Sequence, residues 1–235
     1  MSRRSRLRRA PTLLLRRLRA LRRDDSGMAL VEFALVATVM IFMYVGSAQL
    51  SDAINANRRV TITARAMADL ASRTPTDVGS RIGELKVSQL TTIMDASAQV
   101  LYPFASANAQ IRVSEVWKCA VPKNRTLPAN QELDPAHASF NLARCLPSSD
   151  ALTDPSKDPV VGVQWSRTKG TGLSALTSAD VTLPATIGAG TVLIQADVNY
   201  SHAPWFAGFN FGTIGLSETI FMVPRNSNTV QLVAG

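Results

Sequence analysis

Histidine and cysteine are scarce in this 235-residue chain, two of each, and aromatic residues make up only 6%. No Gly-x-Ser-x-Gly, phosphate-binding loop or dinucleotide fingerprint occurs, so nothing points to a hydrolase elbow or a nucleotide enzyme. No internal repeat is visible, which argues against solenoids and propellers. The two cysteines lie too far apart for a Cys-x-x-Cys redox motif. Charged residues amount to 18% and hydrophobic ones to 46%, a balance that excludes a disordered or low-complexity chain. The length suits one domain of ordinary size with an appendage, enough to bury a real core.

Charge is present but uneven. The net charge is +8. Ten arginines fall before Gly27 (Arg3, Arg4, Arg6, Arg8, Arg9, Arg16, Arg17, Arg19, Arg22 and Arg23) against two acids, Asp24 and Asp25. Basic and acidic side chains balance in the remainder, so the basicity belongs to a leader, residues 1–27. Met28–Leu50 then runs 23 residues with one charge, Glu32. At about 1.5 Å per residue, a helix of that length crosses a ~30 Å hydrocarbon core. It is longer than the apolar region of a cleaved secretory signal, and a transit peptide does not account for it. With the arginines on one side only, the expected topology is a single pass with the N-terminus cytoplasmic and the body exported. The arginines serve orientation and attraction to anionic lipid. A nucleic-acid role is disfavoured, because interleaved aromatics and a folded basic platform are missing. After Pro11, Leu13, Leu14, Leu15, Leu18 and Leu21 interleave with arginines, a pattern for a short amphipathic helix on the membrane surface. Glu32 either snorkels to the interface or awaits a cation from another molecule.

Gly27-Met28-Ala29-Leu30-Val31-Glu32-Phe33 resembles a type IV prepilin processing site, in which a basic leader ends in Gly and Glu is the fifth residue of the apolar helix. That resemblance implies cleavage after Gly27 by a prepilin peptidase, with Met28 as the new N-terminus. It also implies that Glu32 neutralises the terminal ammonium of an adjoining subunit. The stretch from Gly27 to Arg73, including Ala64-Arg-Ala-Met-Ala-Asp-Leu70, is similar to TadE-like proteins of the tight-adherence (Flp) pilus system. So is the far end: Gly190-Thr-Val-Leu-Ile-Gln-Ala-Asp-Val-Asn-Tyr200, Pro204-Trp-Phe and Val223-Pro-Arg225. The resemblance implies a minor pilin or pseudopilin of pilin-like α+β fold. Its partners would be the inner membrane, other pilus subunits, the assembly platform and the prepilin peptidase, and its body would be periplasmic. No cofactor, nucleic acid or small-molecule substrate is expected, and the chain is not read as an enzyme.

The body's own pattern gives an α+β class. Val60, Ala64, Met67 and Ala71 recur at helical spacing, while Asp52, Arg58, Arg59, Arg65 and Asp69 keep other faces wet. This extends the first helix to about Arg73, where Thr74-Pro75 ends it. Ala64 and Ala68 make a small ridge suited to close packing. The organisation is a leader (1–27), an anchor helix with its continuation (28–73) and an exported domain (76–235). A second helix is expected over Val78–Leu101, through Ile82, Leu85, Leu90, Ile93 and Val100, stopped by Tyr102-Pro103. Alternation then predicts four strands: around Ile111–Cys119, Val161–Trp165, Val192–Tyr200 and Thr219–Val223. They would form a small antiparallel sheet with one face on a helix. Residues 122–159 and 170–190 read as loops.

An exported body sits in an oxidising space, where Cys119 and Cys145 are expected to pair; a metal site or redox pair is the alternative, with only His137 nearby. Asp150, Asp154 and Asp158 are evenly spaced, yet prolines interrupt them and the EF-hand ligand pattern is absent, so solvated loop acids are favoured over calcium ligands. His137 and His202 have no nucleophile at motif spacing. Trp205, Phe206, Phe209 and Phe211 crowd one loop, either plugging the core or meeting a neighbouring subunit. A rival function is an uncleaved, membrane-anchored periplasmic binding or scaffold protein in which Glu32 is incidental; a tethered hydrolase has no supporting constellation.

Overall fold

A computed structural model describes residues 26–75, 81–123, 133–136, 140–205 and 212–234. The first element, α1, is one helix over Ser26–Ser72. It contains an 18-residue window of mean hydropathy 2.2 and is long and apolar enough to cross a membrane. The chain divides into two compact units between Ser51 and Asp52, within this helix. In the first unit, apolar side chains such as Met28, Phe33, Leu35 and Tyr44 are exposed. In the second, Ala56, Val60, Ala64, Met67, Ala68 and Ala71 are all at most 1% exposed. Their i, i+4, i+8 spacing lines one face, and burying Val60 and Met67 alone contributes about 1.5–3 kcal/mol each. Alanine at 64 and 68 keeps that face thin enough to lie close against its neighbours.

Next come β1 (Ile82–Lys86) and α2 (Val87–Gln99). The expected helix over Val78–Leu101 is therefore half right. Ile82 and Leu85 belong to a strand, and residues 78–80 lie outside the described residues. Over five residues, apolar groups three apart do not distinguish the two periods. Gly83 weakens a helix, and pairing with a distant strand decides the matter. In α2, Leu90, Met94 and Ala98 face the core.

The four expected strands are present: β2 (Ala109–Cys119), β3 (Val160–Lys169), β4 (Thr191–His202) and β5 (Ile214–Met222). They form an antiparallel sheet in the order β3-β2-β4-β5. Gly162 of β3 is paired with Trp117 of β2, and a Cβ there would sit 2.4 Å from the indole. Glycine at this position lets the ring lie flat across its neighbour strand. A last strand, β6 (Thr229–Val233), was not anticipated; it pairs in parallel with β1 as a separate two-stranded sheet.

One face of the four-stranded sheet carries Ile111, Val113, Ile194, Ala196 and Val198 into a core shared with Val60, Met67, Leu90 and Val230. The other face is also covered, contrary to the expectation of a single packed face. Leu176, Val181, Leu183 and Ile187 of the 170–190 segment pack over Val116 and Leu193. These apolar residues follow no regular period, which is why the segment reads as plain loop in sequence. Beneath it, Asp197 is only 4% exposed and accepts hydrogen bonds from Arg112 Nε (2.8 Å), Gln195 Nε2 (3.0 Å) and Thr219 Oγ1 (2.7 Å). Arg112 also donates to the carbonyl of Ser174, tying the covering segment to the sheet.

Candidate functional site

The candidate processing residues Gly27, Met28 and Glu32 occupy the first turns of α1. All three are exposed. Among the described residues, a Cβ at Gly27 would meet nothing within 4 Å, so no packing there demands glycine. Met28 and Glu32 stand four residues apart, one helical turn, and so share a face. Among the described residues no ion pair or hydrogen bond engages the Glu32 carboxylate. The helix leaves a charged group near its N-terminal end on an otherwise apolar, unburied surface, where the macrodipole favours an anion.

The body contains features that hold its pieces in register. Where α1 ends, Arg225 pairs with Asp69 (2.9 Å) and its backbone N–H donates to Ser72 O (2.9 Å). Asn226 Nδ2 donates to Arg73 O at 3.1 Å. The turn after β5 thus caps the orphan carbonyls of the helix end and places a cation there, satisfying both needs of a C-terminus. The sequence pattern does not show this cap, since the partners lie some 150 positions apart.

Glu115 is a second unanticipated feature. It sits in the inward row of β2 with Ile111 and Val113 and is fully buried. Its Oε1 accepts from the Val230 N–H at 2.6 Å and from Thr229 Oγ1 at 2.9 Å. Trp165, its cross-strand partner, donates from Nε1 to the Val230 carbonyl at 2.6 Å. The backbone of β6 is thereby gripped on the edge it does not share with β1. Burial pushes the Glu115 carboxyl up to about 7, against the lowering effect of these hydrogen bonds. The signal lay in the alternation itself, which assigns Glu115 to the apolar row.

Cys119 and Cys145 form a disulfide, with Cα atoms 5.1 Å apart. The bond packs with Trp117, Leu142 and Val192 and closes a loop spanning 26 positions. For a loop of that size the chain-entropy estimate is about 3.5 kcal/mol. Reduced and alkylated protein is expected to be less stable by that margin and to unfold at lower urea; coincident transitions for the two forms would contradict it.

The remaining candidates are placed as follows. Trp205 is 63% exposed, while Phe206, Phe209 and Phe211 lie outside the described residues, as does His137. His202 is buried at the end of β4, 3.4 Å from Asp52 and edge-on to Phe104. Asp150 and Asp154 spend their oxygens on local turns, accepting from Leu152 N and from Ser156 N and Oγ. Those bonds hold Asp154 below the usual carboxylate range. Among the described residues, no group of three His, Cys, Asp or Glu side chains is arranged to hold a metal ion.

Beside the helix cap lies a cavity of about 680 Å³. It is bounded by Arg81, the disulfide-held turn around Leu142, the start of β4 and the turn Val223–Asn228.

Residues 27–69 match a family model described as TadE-like protein. The matched stretch lies wholly within α1 and includes Gly27, Met28 and Glu32. Neither the curated proteins nor the solved structures gave a match.

Proposed function

We propose that this chain is a minor pilin or pseudopilin of a tight-adherence (Flp-type) pilus, held in the inner membrane by α1 and processed after Gly27 by a prepilin peptidase. The observation that carries this reading is a coincidence of position. The TadE-like match begins at Gly27, where the arginine-rich leader stops and the apolar helix starts, and Glu32 is the fifth residue beyond it. The leader's arginines stay in the cytoplasm, and the body, with its disulfide, faces the periplasm. Cleavage frees an α-ammonium at Met28. In hydrocarbon that charge demands a partner, and the Glu32 carboxylate of a neighbouring subunit supplies one, fixing the axial register between chains. The chain's chemistry is accordingly packing and one intersubunit ion pair; no residue is assigned a catalytic role.

The test is the intact mass of the chain produced with and without an active prepilin peptidase. The expected result is loss of residues 1–27 only when the peptidase is active. A leader that stays attached beside a cleaved control prepilin overturns the reading and favours an uncleaved, anchored scaffold.

A further inference from the structure

Connectivity places the end of the body nearest the anchor. Asp52 opens the second compact unit, two positions after Leu50, the last residue of the apolar run. Two helical residues rise about 3 Å, whereas the headgroup layer on each side of a bilayer is about 5–7 Å deep. Groups that touch Asp52 therefore stand at headgroup level once the run spans a membrane. His202, the last residue of β4, is one of them: its Nε2 lies 3.4 Å from the Asp52 carboxylate. Phe104 packs edge-on against His202 with ring centroids 5.7 Å apart, and Ile214 is the partner of His202 on β5. Two aromatic side chains project from this cluster. Tyr102, two residues before Phe104, is 77% exposed, and Trp205, three residues after His202, is 63% exposed. Ile214 is exposed as well. The stretches that build this end, residues 52–57, 101–108, 200–205 and 212–216, contain a single Asp, Glu, Lys or Arg, which is Asp52. A weakly charged surface rimmed with exposed aromatics marks a contact with a membrane or another protein.

We propose that this end of the body is a lipid-facing surface, with Tyr102, Trp205 and Ile214 seated in the headgroup layer of the bilayer that α1 crosses. Position selects lipid over another protein. A surface bound to Asp52 is already at that depth, and the bilayer lies against it without having to be recruited. Composition agrees, because indole and phenol rings bury an apolar body while keeping a polar edge among headgroups, and both are enriched at membrane interfaces. With so little charge at this end, the contact does not depend on anionic lipid. The placement rests on the anchoring by α1 proposed above and not on cleavage after Gly27.

The test uses the full chain in phosphatidylcholine nanodiscs whose lipid carries bromine near either the carbonyl end or the methyl end of its acyl chains. Bromine quenches tryptophan on contact. Trp117 and Trp165 also emit, so the signal read is the difference between wild type and Trp205→Phe. Shallow bromines are expected to quench that difference at least about twofold more than deep ones, as for an indole at the interface. A second tryptophan reports on the same surface: Tyr102→Trp in the Trp205→Phe background is expected to show the same preference. Lack of preferential shallow quenching at one or both positions overturns the proposal, and is the result if water or a neighbouring protein covers the surface. An uncut leader leaves the quenching standing, and unquenched tryptophans in disc-bound chain leave processing standing, so the two failures are distinguishable.

Discussion

Glu115→Gln is expected to remove about 3 kcal/mol of pH dependence from the stability of the body between pH 4.5 and 8. The sign follows from the two states of the carboxyl. Unfolded, it titrates near its ordinary value of 4.5; folded, it is held at about 7. Below pH 4.5 it is neutral in both states and its burial carries no charge penalty. Between 4.5 and about 7 the unfolded chain releases a proton that the folded chain keeps, so stability falls by about 1.4 kcal/mol per pH unit. Above 7 both forms are ionised and the loss is complete. The loss originates in geometry. Oε2 is buried with no hydrogen-bond partner, and the donors reaching Oε1 are neutral. Glutamine keeps the acceptor for Val230 and Thr229 but cannot ionise. Urea titrations of the full chain in micelles, read by tryptophan fluorescence at several pH values, give the difference between the two curves. If that difference stays constant with pH, Glu115 is not the titrating group.

Glu32→Ala is expected to insert into the membrane as well as the wild type and to be nearly absent from assembled filaments. Insertion does not suffer, because a carboxylate within an apolar span is a cost that alanine lacks. Incorporation suffers because the neighbour's ammonium at Met28 would be left unpaired. Removing one partner of a buried ion pair costs about 3–5 kcal/mol, roughly two to four orders of magnitude in an equilibrium. Quantitative mass spectrometry of membrane and sheared-filament fractions separates the two effects. Equal filament content for the variant removes the role proposed for Glu32.

The parts of this fold visible in sequence are those written in local periodicity. Val60, Ala64, Met67 and Ala71 mark the buried stripe of α1, and each is fully enclosed. Ile194, Ala196, Val198 and Tyr200 mark the inner row of β4 in the same way. What escaped is written in long-range pairing. β1 and β6 are five residues each, too short for a period to declare itself, and each exists because the other is there. Asp197 follows the polar row of β4, yet it is buried, because a segment without period folds over that row. In the candidate site, the roles proposed for Gly27 and Glu32 rest on their spacing along one helix, a local pattern that sequence displays. The cavity is not displayed in this way, since Arg81, Leu142, Thr191 and Arg225 come from four separate stretches.

The grip of Glu115 and Trp165 on Val230 also sets an order of events. β6 is the last strand, and its partner β1 comes soon after α1, with almost the whole body between them. The core that encloses Val60 and Met67 includes Val230. It therefore cannot close until residues from both ends of the body have been brought together. Such a distant contact is slow to form, because the loop must be closed before the contact returns any stability. The body thus becomes compact only when its final strand arrives, and under the export proposed above it would cross the membrane before that core closes.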